Sequence, residues 1–192
     1  MVSRSLVSLR EAESADALFL AELWVDGLRR CDHQDQVADL EQVIKAAAAS
    51  SEQRLVIAEY DGQPAGAVLL RVSTVTPLNL EPTVQLLSLQ VVSTLRRHGV
   101  GRTLMECGVT FAEELGIVHV STAVTSSSRD SNRFMARLAL GQHATFRIAP
   151  TAAVRARLTA QRPALSTASD GGRQLTRVLA ARRSMRRSQA TN

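Results

Sequence analysis

The chain has 192 residues, 45% of them hydrophobic and 3% aromatic, with a formal net charge of +5; this suffices for one domain with a proper core plus a tail and is cramped for two. No apolar run reaches the roughly 18 residues of a membrane span, and MVSRSLVSLREAESAD lacks a signal-peptide apolar region, so a soluble cytoplasmic protein is expected. The charge is uneven: nine arginines against Asp170 give residues 151–192 a charge of +8 and leave residues 1–150 at −3, which makes the main domain a poor candidate for a dedicated nucleic-acid reader.

In chain order, Ser5 to Arg10 reads as an opening strand, followed by amphipathic helices over roughly 14–30 and 36–49 with the polar connection Arg29–Asp35 between them. Residues 54–71 read as a hairpin turning at Asp61-Gly62-Gln63-Pro64, because Asp-Gly is a strong hairpin signal. Residues 72–83 extend that strand through a loop, and Val84 to Val92 form an apolar central strand. A helix then starts near Val100, with Val100, Leu104, Phe111 and Leu115 on one face. Ile117 to Val124 is the next strand, His143 to Ile148 a last strand, and Thr151 to Ala160 a helix. Residues 162–172 have linker composition, and Gln174 to Arg187 form either a basic helix or a disordered tail. The domain is thus expected over 1–150, with an arginine-rich extension over 151–192. Cys31 and Cys107 are too few and too far apart for a zinc site or a disulfide framework, so no metal is expected and both thiols should be reduced. Cys107 falls on the core side of its helix.

The segment carrying most chemistry is LQVVSTLRRHGVGRTL, residues 89–104: an apolar strand enters R-R-H-G-V-G and a helix begins at once. Gly99 and Gly101 can take positive φ and let backbone approach a ligand. The helix start presents unpaired N–H groups and partial positive charge where Arg96, Arg97, His98 and Arg102 cluster, which suits a phosphate. Neither GxGxxG nor GxxxxGK followed by Ser or Thr is matched, which argues against dinucleotide and P-loop sites. The residues alone leave open a plain basic turn.

Arg96, Gly99 and Gly101 resemble the Q/R-x-x-G-x-G/A motif of the GNAT N-acetyltransferases, in which this loop grips the pyrophosphate of acetyl-CoA. The resemblance extends over roughly residues 5–150 in the order of elements: 127–140 resembles the family's short helix, and RFMARLAL (133–140) with the arginine-rich end is similar to small actinobacterial members, some thought to modify protein lysines. It implies an α/β fold: a mixed, mostly antiparallel sheet with helices on both faces, splayed at the central strand to admit CoA.

By that resemblance, backbone groups of Leu89, Gln90, Val91 and Ser93 pair with the pantetheine arm and thioester. Arg96, Arg97, His98, Gly99, Val100, Gly101, Arg102 and Thr103 surround the pyrophosphate, and Asn132 reaches the CoA phosphates from the next helix. A lysine-like amine, of unperturbed pKa ~10.4, must lose a proton before attack. Where histone-modifying relatives carry a glutamate base this chain has Gln85, so His33, Asp32 and Glu81 are the candidates, each of which also reads as a solvated loop residue with no role. Met135 stands where many relatives have a tyrosine acid, and Ala139-Leu140 replaces a Gly-Phe pair.

Two functions are consistent with these residues. One is an N-acetyltransferase using acetyl-CoA on a primary amine, a protein lysine first, by direct attack in a ternary complex. The other is a non-catalytic acyl-CoA-binding module whose basic tail contacts a polyanion. A homodimer is compatible with either.

Overall fold

The alternating segments form one five-stranded sheet, in the order β1-β2-β3-β4-β5, in the computed structural model, which describes residues 6–125, 127–145 and 147–161. The strands are β1 (Val7–Glu11), β2 (Gln53–Tyr60), β3 (Gln63–Thr74), β4 (Pro82–Val91) and β5 (His119–Thr122). The first four are antiparallel and β5 runs parallel to β4. The described residues fall into two compact units, one ending at Gly141 and the other starting at Gln142.

Alternation along the strands sorts side chains to two faces. Leu55, Ile57, Ala67 and Leu69 pack with α1 (Ala17–Leu23) and α2 (His33–Ala48) through Leu20, Trp24, Leu40 and Ile44. Val56, Ala58, Val68, Leu70, Val84 and Leu86 pack with α3 (Val100–Glu114) through Val100, Leu104 and Phe111, and with Met135 of α4 (Arg129–Arg137). Helices on both faces of a mixed, mostly antiparallel sheet are what the family resemblance implied. Truncating fully buried Phe111 would cost about 3–5 kcal/mol.

Several boundaries differ from the sequence reading. The helix expected over 14–30 stops at Leu23, because the chain turns through Val25–Gly27, where Gly27 N–H donates to the Trp24 carbonyl at 2.7 Å. The second helix begins at His33, three residues early, with Asp32 in extended conformation at its N-cap position. The hairpin turn is tighter: Asp61 and Gly62 alone take positive φ (51° and 76°), the two-residue turn that matches strand twist, so Gln63 and Pro64 already lie in β3. Leu115 lies just past the end of α3 and is 43% exposed rather than on the buried face. The strand expected over 117–124 pairs only over four residues.

In the second unit, α5 (Thr151–Ala160) forms where expected. The strand expected at His143–Ile148 is absent: its described residues carry no regular structure, and the Gln142 amide donates to the Thr145 hydroxyl at 2.9 Å. A strand needs a ladder partner, and no strand of the described residues supplies one. The linker reading of 162–172 and the basic helix at 174–187 lie outside the described residues. Among the described residues no helix is long and apolar enough to cross a membrane.

Candidate active site

The site grows out of an irregularity in β4. Ala67 of β3 faces Gln90, but Leu69 faces Leu87, so two residues of β4, Ser88 and Leu89, stand opposite Val68 alone. Ser88 absorbs the extra residue with φ +52°. The bulge reverses the alternation: Val84 and Leu86 face α3, and beyond the bulge Leu89 and Val91 take that face while Ser88 and Gln90 are exposed. On the other edge the β5 ladder pairs only Thr83 to Leu86 and ends where the Thr122 hydroxyl donates to the Leu86 carbonyl at 2.8 Å. From Leu87 onward, that edge of β4 has no strand beside it among the described residues.

Gly66 brings this edge into place from behind. It lies opposite Val91, and a Cβ on it would come within 2.6 Å of the Gln90 carbonyl oxygen. Val92 N–H then donates to the Ala65 carbonyl at 2.8 Å, closing the strand against β3. Sequence reasoning passed over Gly66, although an isolated glycine inside a strand pattern signals close backbone approach.

Past β4 a single turn at Ser93–Leu95 leads into the basic loop. Positive φ occurs at Arg97 (67°) and Gly99 (89°), whereas Gly101 lies inside α3. The expectation of positive φ at Gly101 is therefore corrected: an ordinary helical conformation suffices there. A Cβ at Gly101 would meet only Val91 at 3.6 Å and Phe134 at 4.0 Å, ordinary contact distances, so packing does not require glycine. Gly99 occupies the N-cap position and no side chain caps α3, which leaves the first-turn amides without intrahelical partners. Arg96, Arg97, His98 and Arg102 are exposed around them. Val100 is fully buried and pins the loop to the core, and the Thr103 hydroxyl donates to the Gly99 carbonyl at 3.3 Å.

The other predicted residues are distributed more widely. The Asn132 amide donates to the carbonyls of Thr125 (3.2 Å) and Ser128 (2.7 Å), so its donors are engaged at the start of α4 rather than turned to a phosphate. Glu81 precedes β4 at the end away from the bulge and lies 3.3 Å from His119, about 25 Å of extended chain from Leu89. Gln85 accepts a hydrogen bond from Arg71 at 3.0 Å. Asp32 and His33 are exposed at the start of α2. Met135 is buried in the core beneath α3, and burial pushes the half-buried Cys107 thiol above its usual pKa. Among the described residues, no cluster of His, Cys, Asp and Glu could hold a metal.

Comparison with known proteins gives the same outline. Residues 17–140 match the profile of the acetyltransferase (GNAT) family. No curated protein matches the sequence. Among solved structures, a transcriptional regulator from Bacillus halodurans superposes with a TM-score of 0.64 at 17% identity, covering 75% of this chain and 99% of its own. Aminoglycoside N-acetyltransferase AAC(6')-Iy in complex with CoA gives 0.58 at 18% identity, covering 78% and 97%. Ribosomal-protein-alanine N-acetyltransferase from Brucella melitensis biovar Abortus gives 0.55 at 16%, covering 75% and 98%. At these identities the structures speak for the fold.

Proposed function

Because the chain belongs to the GNAT acetyltransferase family, whose members use acetyl-CoA, we propose that it transfers the acetyl group to a primary amine, a protein lysine, by direct attack in a ternary complex. The observation that carries this reading is the uncapped, basic start of α3. Gly99 at the N-cap position leaves the first-turn amides of α3 uncapped, and Arg96, Arg97, His98 and Arg102 stand exposed around them. A pyrophosphate fits, since it takes N–H donors, partial positive charge and flanking arginines together.

In this reading the amides of Arg97, His98, Gly99, Val100, Gly101 and Arg102 hold the pyrophosphate, with the Arg96 and Arg102 side chains offsetting its charge. The open edge of Leu89, Gln90 and Val91, with Ser93 beyond, takes the pantetheine arm. It turns main-chain N–H toward the thioester oxygen, where negative charge develops as the amine attacks. Acetyl-CoA, once bound, supplies an activated acyl group whose thiol, of pKa about 8.5, departs tolerably as thiolate without an acid at Met135.

Gln85 has no ionisable group and Glu81 sits against His119, which leaves His33, beside Asp32 and exposed at the start of α2, as the base of this reading. The lysine preference rests on the resemblance of 133–140 and of the arginine-rich end. A second reading, non-catalytic acyl-CoA binding with polyanion contact through the tail, is favoured by the buried Met135 at the acid position.

The test is CoA release from acetyl-CoA with a panel of amines and lysine peptides, beside calorimetric titration of acetyl-CoA. Acceptor-dependent release, lowered about 100-fold or more in kcat by His33→Gln, supports the transferase with that base. Tight binding without release supports the second reading, and absence of binding overturns both. Deleting 162–192 separates the readings: a docking module loses its partner, whereas the enzyme still acetylates a small amine.

A further inference from the structure

Tyr60 ends β2 beside the hairpin turn, far in sequence from the basic loop. Its ring nevertheless meets the His98 imidazole edge-on, with centroids 4.9 Å apart and planes at 61°. Tyr60 is anchored in its own right: it is half-buried against the core beneath α3 and paired with Val7 of β1 and Gln63 of β3. His98 is exposed, yet its ring is held at a second point, where Nδ1 lies 2.9 Å from the Arg96 carbonyl oxygen. Between these two residues Arg97 sits at φ +67°, a left-handed conformation that is unfavourable for a side-chain-bearing residue and persists only when neighbours enforce it. Tyr60 and the Arg96 carbonyl bracket the imidazole next to that strained residue.

We propose that Tyr60 is a positioning residue for the phosphate loop, acting through His98 to hold Arg96–Gly99 in the conformation that receives the pyrophosphate of acetyl-CoA. This rests on the acetyl-CoA reading above. The contact uses the ring and leaves the phenolic hydroxyl out, so phenylalanine serves equally well. An edge-on aromatic contact of this kind is worth roughly a threefold to tenfold change in affinity.

Calorimetric titration of acetyl-CoA into the full chain tests this with Tyr60→Phe, Tyr60→Leu, His98→Ala and the Leu/Ala double variant. Tyr60→Phe is expected to bind like the parent, Tyr60→Leu to lose roughly threefold to tenfold, and the double variant to lose no more than His98→Ala alone. In turnover, the Tyr60→Leu loss should fall on KM for acetyl-CoA rather than on kcat. Unchanged affinity in Tyr60→Leu, an equal loss in Tyr60→Phe, or additive losses in the double variant each overturn the proposal while leaving the acetyl-CoA reading intact. Because His98 is exposed, His98→Ala folds regardless, and its unaltered affinity would overturn the proposal even if Tyr60→Leu were unstable. A parent chain that does not bind acetyl-CoA overturns both.

Discussion

Gly66 lies so close to the Gln90 carbonyl that a methyl group on it would stand 2.6 Å from the oxygen, with Val91 Cα at 3.3 Å and Val100 Cγ1 at 3.2 Å. Two of these atoms are backbone of the strand end that the proposed function uses, and backbone cannot rotate away as a side chain can. Gly66→Ala is therefore expected to push the end of β4 outward. Stability should fall by about 1–3 kcal/mol and the KM for acetyl-CoA should rise, checked by urea unfolding and steady-state kinetics. A variant with parental stability and KM would show that the strand end tolerates displacement.

Gly101→Ala separates packing from ligand binding. The new methyl meets only ordinary contacts, and alanine favours the helix by up to about 1 kcal/mol, so the melting temperature should hold or rise. Acetyl-CoA affinity, measured by calorimetry, should be retained, because the motif carries glycine or alanine at this position. A large loss of affinity would mean that the ligand lies closer to the first turn of α3 than an alanine allows.

Asp16 accepts two hydrogen bonds from the Arg10 guanidinium, each 2.7 Å, and a third from Glu13 N–H at 2.8 Å. The bonds to Arg10, the Glu13 amide and the charge of Arg10 together outweigh burial and hold the carboxyl below its usual value near 3.8. Since the folded pKa is depressed, the stabilisation is full above the unfolded pKa and is lost as pH falls through the folded one. Asp16→Asn should cost about 1–3 kcal/mol at pH 7. Melts taken from pH 7 down to pH 3 should show the gap between parent and variant narrowing below about pH 4; a constant gap would mean that the carboxylate charge is irrelevant.

The end of α4 carries removable strain. Leu140 N–H donates to the Met135 carbonyl at 3.1 Å and Ala139 N–H to the Ala136 carbonyl at 3.2 Å, a helix stop that normally places glycine where Ala139 sits at φ +63°. Ala139→Gly is expected to stabilise the chain by about 1 kcal/mol, read from urea midpoints at unchanged slope. A loss of stability would mean that the Ala139 methyl makes a favourable contact.

Much of this was legible beforehand, and for identifiable reasons. Asp61-Gly62 marked the hairpin because so few residues accept two consecutive positive φ values, and Val100, Leu104 and Phe111 marked the inner face of α3 through their spacing. The basic loop before α3 was visible because glycines and arginines there answer local requirements. His143–Ile148 read as a strand on its own composition, but a strand exists only through a partner that composition does not name.

By itself the sequence determined the local chemistry: an alternating sheet, an amphipathic helix behind a glycine and arginine turn, and a charge imbalance between the main domain and the tail. These depend on side-chain type and short spacing alone. Tertiary structure decided where the open edge lies, because the bulge at Ser88 and Leu89 arises from register against Val68, and register is a property of two strands together. It also decided that Gly66 must be bare, that Tyr60 should reach His98, and that Glu81 should face His119 at the far end of β4. Each of these follows from distances between segments remote in the chain, which no pattern within either segment encodes.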